Sequence, residues 1–233
     1  MDAAARLDVP AAREAVHAAC RRMVADGLVI GSAGNVSVRV DDHHFVVSAG
    51  GVRYHRLEPA DHPVVDVRDG SWDGRRAPTS ELALHTGLMA ARPRVGAIVH
   101  THSRHAAAFA VARLDLPFIC NESIATCADR VLVTDYAPPG TASLADQVLR
   151  TLAEQPGSRA ALLANHGVVA IGPDLDAAYL VAESVEWTAE ICHLARTLLA
   201  AGAGEHVLDR EVQEVIARTY GVPIARRGAG PNP

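Results

Sequence analysis

The 233-residue chain has no lysine; all 22 of its basic residues are arginine. So uniform a choice reads as base composition of the coding sequence, and arginine content alone is no evidence for phosphate binding. Against 27 acidic residues it leaves a formal net charge of -5. No basic stripe with interleaved aromatics is present, which excludes nucleic acid as an expected partner. Aromatic residues amount to 4 %, so Ala, Val and Leu must fill the core. No apolar run approaches the roughly 18 residues of a membrane-spanning helix. The opening MDAAARLDVP lacks the charged-then-apolar layout of a secretory signal. Cysteine is scarce too: Cys20, Cys120, Cys127 and Cys192 form no CxxC pair and no zinc-ribbon spacing. They read as reduced thiols of a cytoplasmic protein.

What remains is ordinary globular material, 49 % hydrophobic and 21 % charged, close to the usual balance. A chain of this length buries a full core without disulfides or a structural metal. Helical spacing over 10–26 stops at Gly27. NVSVRV, the polar turn DDHH and FVVS read as a hairpin, and PVVDV as a further short strand. A helix is expected to start at PTSE, with Thr79 or Ser80 as N-cap, and to run to about Ala91, ahead of Pro93. VGAIVHTHS and RVLVTDY read as strands, and SRHAAAFAVAR and SLADQVLRTLAEQ as helices. ALLAN and VVAIG read as strands flanking His166-Gly167. A long helix over about 174–199 and a short one over DREVQEVIARTY follow. The pattern predicts one mixed sheet with helices on both faces. No linker divides the chain, so a single domain over 1–233 is expected, with a flexible tail from about 224.

Histidine is where the chemistry gathers. His100 and His102 stand two apart in a predicted strand, so both imidazoles point to one face. Such a pair grips one metal ion with two nitrogens, a donor type that suits zinc and several first-row metals. His166, at a sharp turn beside Gly167, is the best third ligand, with His55, His62, His85 and His105 as rivals. His43-His44 reads as a solvated turn. Three nitrogens and an open position describe a catalytic metal site rather than a structural one. Glu81 falls at a helix start, where an acidic residue is favoured whether or not it does chemistry. The small-residue turns 31–35 and 48–51, with Thr79, Ser80 and the helix start behind them, offer backbone amides that can cradle an anion.

GSAGNVSVRV (31–40), PTSELALH (78–85), RPRVGAIVHTHS (92–103) and NHGVVAIGPDLDAAYLVAESVE (165–186) together resemble the class II aldolase/adducin family in order and spacing. The resemblance spans roughly 10–222. It implies a three-layer α/β/α sandwich around a central, mostly antiparallel mixed sheet, assembled as a homotetramer with active sites between subunits. It implies His100, His102 and His166 as metal ligands and Glu81 as catalytic acid/base. Gly34, Asn35, Gly50, Gly51, Thr79 and Ser80 fall where the family binds substrate phosphate. Tyr220 matches a catalytic tyrosine supplied by a neighbouring subunit. One divalent ion per subunit is implied, zinc first, with manganese, cobalt or iron(II) as alternatives.

The activity so implied is a lyase of carbohydrate metabolism, a divalent-metal-dependent aldolase. It would cleave a small hydroxylated ketone, ketose or sugar phosphate through a metal-stabilised enediolate. The same centre would serve a 3-oxo sugar acid phosphate decarboxylase or a pentulose-phosphate 4-epimerase. The family's adducin branch is a non-catalytic module, but its loss of histidines is not seen here. Three departures stand out. Ser48-Ala49-Gly50-Gly51 occupies a loop that often reads TPTG or TPSG, PFICNES carries no second tyrosine, and Pro139 replaces an aromatic.

Overall fold

The computed structural model describes residues 6–117, 119–127, 130–155, 157–199 and 207–221. Seven strands form one sheet: β1 Asn35–Arg39, β2 His44–Val47, β3 Val64–Asp66, β4 Trp72–Asp73, β5 Ala97–Thr101, β6 Ala160–Leu163 and β7 Gly167–Gly172. Their order is β4-β3-β2-β1-β5-β7-β6, and every pairing between them is antiparallel. The helices are α1 Val9–Ala25, α2 Leu82–Ala91, α3 Arg104–Ala112, α4 Asn121–Cys127, α5 Ala142–Glu154, α6 Leu175–Leu199 and α7 Arg210–Thr219.

Strand periodicity sorts the side chains into two cores, one on each face of the sheet. Val36, Val38, Ala97, Val99, Val168 and Ala170 pack against α1, α3, α4 and α6. Phe45, Val47, Ile98, Val169 and Ile171 pack against α2 and α5 through Leu84, Leu88, Leu144 and Val148. The result is the expected α/β/α sandwich with an antiparallel sheet in the middle. With few aromatics, Leu and Val carry the burial; truncating a side chain such as Leu88, fully buried, would cost about 2–5 kcal/mol.

Three local expectations are corrected. Helix α2 begins at Leu82, not at the PTSE hydroxyls, and its N-cap is Glu81. The cause is tertiary: Ala49 bridges Pro78 and the Thr79 amide donates to Ser48 O at 3.0 Å, so residues 78 and 79 are held outside the helix. RVLVTDY is not a strand. Val131 bridges Leu116 while Val133 bridges Leu162, so the segment changes partner before a ladder can grow. Helix α4 and the short β4 arise where only loop was expected. The tail from about 224 lies outside the described residues.

Two buried histidines make the fold sensitive to acid. His62 is fully buried; its Nδ1 accepts from the Ala49 amide at 3.1 Å, and its Nε2 lies 3.4 Å from His17 Nδ1. Burial, with His17 beside it, pushes His62 from 6.5 down to about 4. Burial does the same to His85, down to about 3. Both are neutral in the folded chain, so below pH 6.5 the unfolded chain binds protons that the folded chain refuses. Stability should therefore be complete above about 6.5 and fall as pH drops toward about 4, by on the order of 3 kcal/mol for His62 alone. Urea denaturation at pH 7.5 and 4.5 measures this. His62→Asn, which keeps an acceptor toward Ala49, should flatten part of the dependence; identical slopes in the two proteins would contradict the assignment.

Candidate metal centre

The site grows from β5 and its two neighbours. Ala97 and Val99 enter the α1/α6 core, so Ile98 and His100 face the α2 side. His102 lies one residue past the strand end. Its Nε2 still comes to 3.0 Å from that of His100. On one side β1 pairs Asn35 with His100, and on the other β7 pairs Val169 with it. The β6–β7 turn delivers His166: Asn165 takes a left-handed conformation at φ 55, and Gly167 follows. A Cβ on Gly167 would sit 2.2 Å from Thr101 O and 3.2 Å from His102 Cδ2, so only glycine lets the turn approach β5 this closely. The three imidazoles stand edge to face, with centroids 4.8 to 4.9 Å apart.

Glu81 completes the cluster. As the N-cap of α2 it turns its carboxylate inward rather than onto its own helix. Oε2 lies 2.8 Å from His100 Nε2, and Oε1 lies 3.4 Å from His166 Nε2. Ligand atoms from Glu81, His100, His102 and His166 all fall within 4.8 Å of one another. Glu186 of α6 holds the segment after His102. Its carboxylate accepts from the His105 and Ala106 amides, each at 3.0 Å, and from His105 Nδ1 at 2.9 Å. This fixes the first turn of α3.

The donor set fits a divalent cation. His100 Nδ1 lies 2.8 Å from Val168 O, so in the neutral imidazole Nδ1 donates there and Nε2 carries the lone pair. That lone pair faces a carboxylate oxygen and a second imidazole nitrogen, an arrangement of acceptors that needs a positive charge at its centre. Burial raises the Glu81 carboxyl, but the His100 and His166 imidazoles and the Asn35 amide outweigh it and hold Glu81 below the usual carboxylate range. Burial, reinforced by His100, pushes His102 down to about 4 and lowers His166 as well, with Glu81 opposing. Neutral imidazoles beside a carboxylate are the protonation states that metal binding requires. Glu81 Oε1 and His166 Nδ1 are buried without a hydrogen-bond partner, a cost that native folds accept at functional sites.

The small-residue turns expected to hold phosphate come together beside Glu81. Gly50 donates to Ala77 O at 3.1 Å, and a Cβ there would meet Pro78 O at 2.8 Å. Thr79 Oγ1 accepts from the Glu81 amide at 3.3 Å, and Ser80 is exposed at the mouth of α2. Gly34 stands at φ +115, where a Cβ would meet His100 O at 2.8 Å. Gly51, also at positive φ, is exposed next to Gly50. Asn35 is buried and its amide reaches Glu81 Oε2 at 3.0 Å, a partner that sequence reasoning missed. Tyr220 is not part of the cluster. It is the C-cap of α7, 62 % exposed, beside Trp187 and Glu122. His85 hydrogen-bonds behind the site, His44 pairs with Asp41 at the surface, and His105 pairs with Glu186.

The model of the class II aldolase and adducin N-terminal domain matches residues 14–193. The chain belongs to that family. It is 36 % identical over 180 residues to 5-methylthioribulose-1-phosphate/5-deoxyribulose-1-phosphate aldolase of Rhodospirillum rubrum, covering 77 % of this chain and 79 % of that protein. It is 33 % identical over 208 residues to L-fuculose phosphate aldolase of Haemophilus influenzae, covering 88 % and 93 %. A solved L-fuculose 1-phosphate aldolase superposes with a TM-score of 0.83 at 29 % identity, over 91 % of this chain and 96 % of that one. Aldolase relatives and a histidine–glutamate cluster that can hold a divalent ion make this class II aldolase family member a metal-dependent enzyme of the lyase type.

The metal expectation is directly measurable. Purified protein should carry about one divalent ion per chain by elemental analysis, and His102→Ala should lose most of it. Full occupancy in a variant lacking both His100 and His102 would sink the assignment.

Proposed function

We propose that the enzyme cleaves a ketose 1-phosphate between C3 and C4, releasing dihydroxyacetone phosphate and an aldehyde. The observation that carries this reading is Glu81 Oε1: a buried carboxylate oxygen without a hydrogen-bond partner at the edge of three convergent imidazoles. The names of the relatives, which are aldolases of fuculose and deoxyribulose phosphates, supply the substrate class. The chain has no lysine, so carbonyl activation through a lysine Schiff base is unavailable to it.

His100, His102 and His166 would hold the ion, with zinc the first choice for three nitrogens. A divalent ion held there supplies Lewis-acid stabilisation of the negative charge that develops on the ketone oxygen as the carbon–carbon bond breaks. Glu81 moves the proton on the carbon that loses its bond. Gly34, Asn35, Gly50, Gly51, Thr79 and Ser80 orient the phosphate, with the positive end of α2 behind them. Ala49 offers no hydroxyl there, so backbone amides and Ser80 carry that recognition. Tyr220 serves a neighbouring subunit's site in a cytoplasmic homotetramer; its exposure, outside the cluster of its own chain, supports that assignment.

Glu81→Gln should lower turnover on the order of 100-fold or more with metal content unchanged, because general acid–base catalysis is worth that much. Near-normal turnover would refute the catalytic role. Product analysis decides the reaction: aldehyde plus ketone phosphate supports it, whereas carbon dioxide or an isomer replaces it with decarboxylation or epimerisation.

The shared site has its own test. A Tyr220→Phe chain mixed with a Glu81→Gln chain under subunit exchange should regain activity above either parent. Demonstrated exchange without recovery, or a monomer at working concentration, would reject it.

A further inference from the structure

Behind Glu81 lies a linear relay of buried polar side chains for which metal binding gives no reason. Asn35 Nδ2 donates to Glu81 Oε2 at 3.0 Å. Asn35 Oδ1 pairs with His85 Nε2, and His85 Nδ1 lies 2.7 Å from Ser37 Oγ. Ser37 and His85 are fully buried and Asn35 nearly so. The hydrogen-bond directions follow from the carboxylate. An ionised carboxylate only accepts, so the Asn35 amide must present its NH2 to Glu81 and its oxygen to His85. His85 must then donate from Nε2, and its Nδ1 accepts from the Ser37 hydroxyl. Asn35 and His85 each have one orientation that satisfies both neighbours.

The consequence falls on the two oxygens of Glu81. Oε2 accepts from the Asn35 amide and lies at the His100 edge of the cluster. Oε1 has no hydrogen-bond partner. We propose that His85 is a positioning residue: its Nε2–H tautomer locks the Asn35 amide, which pins Glu81 Oε2 and leaves Oε1 as the oxygen that exchanges the proton with carbon. The inference rests on the catalytic role of Glu81 and adds to it a mechanism for aiming the base. Without His85 the Asn35 amide is free to turn its own oxygen toward Oε2. That repels the carboxylate and swings Oε1 out of line, and a misplacement of about 1 Å costs on the order of 100-fold in rate.

The step can be read alone by following exchange of the carbon-bound proton of dihydroxyacetone phosphate in deuterated water. In the metal-loaded enzyme, His85→Leu should lower kcat for exchange about tenfold or more, with KM within about twofold and metal content unchanged. His85→Gln, whose amide can replace the Nε2 donor, should recover most of the loss, which a mere packing defect would not. Asn35→Ala and His85→Leu should be non-additive in kcat, because they break one chain. Nitrogen-15 histidine spectra, assigned by loss of the signal in His85→Gln, should show His85 protonated at Nε2 and bare at Nδ1, with and without metal. An Nδ1–H tautomer, additive losses, or a KM effect with kcat intact would overturn the proposal. If His85→Leu fails to fold, His85→Gln, Ser37→Ala and the tautomer still decide it. Glu81→Gln with full exchange activity overturns the function itself; impaired Glu81→Gln beside unimpaired His85→Leu overturns only the positioning role.

Discussion

The register of β1 against β5 is the constraint on which the site depends. Asn35 stands opposite His100 and Ser37 opposite Ile98. A slip of one residue would exchange the faces of β1, burying Asn35 and Ser37 in the α1/α6 core and setting Val36 under Glu81. The register is held by apolar residues on one face, Val36 and Val38, and by polar anchors on the other. The last of these anchors is Arg39, whose guanidinium donates to Val95 O at 2.8 Å and Met89 O at 2.6 Å. A buried cation among carbonyls is costly to break, so it clamps the end of β1 to the end of α2.

Strand and helix are thereby fastened at matched intervals. Asn35, Ser37 and Arg39 meet Glu81, His85 and Met89 in turn. Two residues of strand advance about 6.6 Å and four of helix about 6 Å, so each alternate residue of β1 finds the next turn of α2. The commensurate spacing explains how a helix that starts late, after the bridged Pro78, can still place its N-cap against the histidine cluster. The helix is positioned by its underside, and Glu81 follows.

Legibility from sequence divides along the same line. The convergence of His100 and His102 was readable because a strand has period 2, and that of His166 because a glycine follows it in a predicted turn. Both signals are local. A catalytic role for Glu81 is implied only by the family resemblance, since a glutamate at a helix start is favoured on electrostatic grounds alone. Its place as N-cap, with the helix beginning at Leu82, depends on the Ala49–Pro78 bridge, a contact between segments some thirty residues apart. RVLVTDY has the composition of a strand, but its partners Leu116 and Leu162 belong to different segments. The pairing of Asn35 with Glu81 and the clamp of Glu186 on α3 likewise carry no local signature. Tertiary hydrogen bonds of this kind decide details that propensity leaves open.

A lysine-free chain must divide what a single amine could do between groups with opposite needs. The imidazoles have to stay neutral to offer lone pairs, and burial keeps His102 and His166 so. The carboxylate has to stay ionised in the same dry pocket, where burial works against it. Hydrogen bonds resolve the conflict asymmetrically. The Asn35 amide donates to Oε2 and stabilises the charge, and Oε1 is left without a hydrogen-bond donor. Had Oε1 been satisfied as well, the carboxylate would be more stable and a poorer base. The orphaned oxygen is therefore a stability cost that the buried relay of Asn35, His85 and Ser37 makes tolerable, and under the proposed function it is the feature that separates a site able to move a proton from one able only to bind an ion.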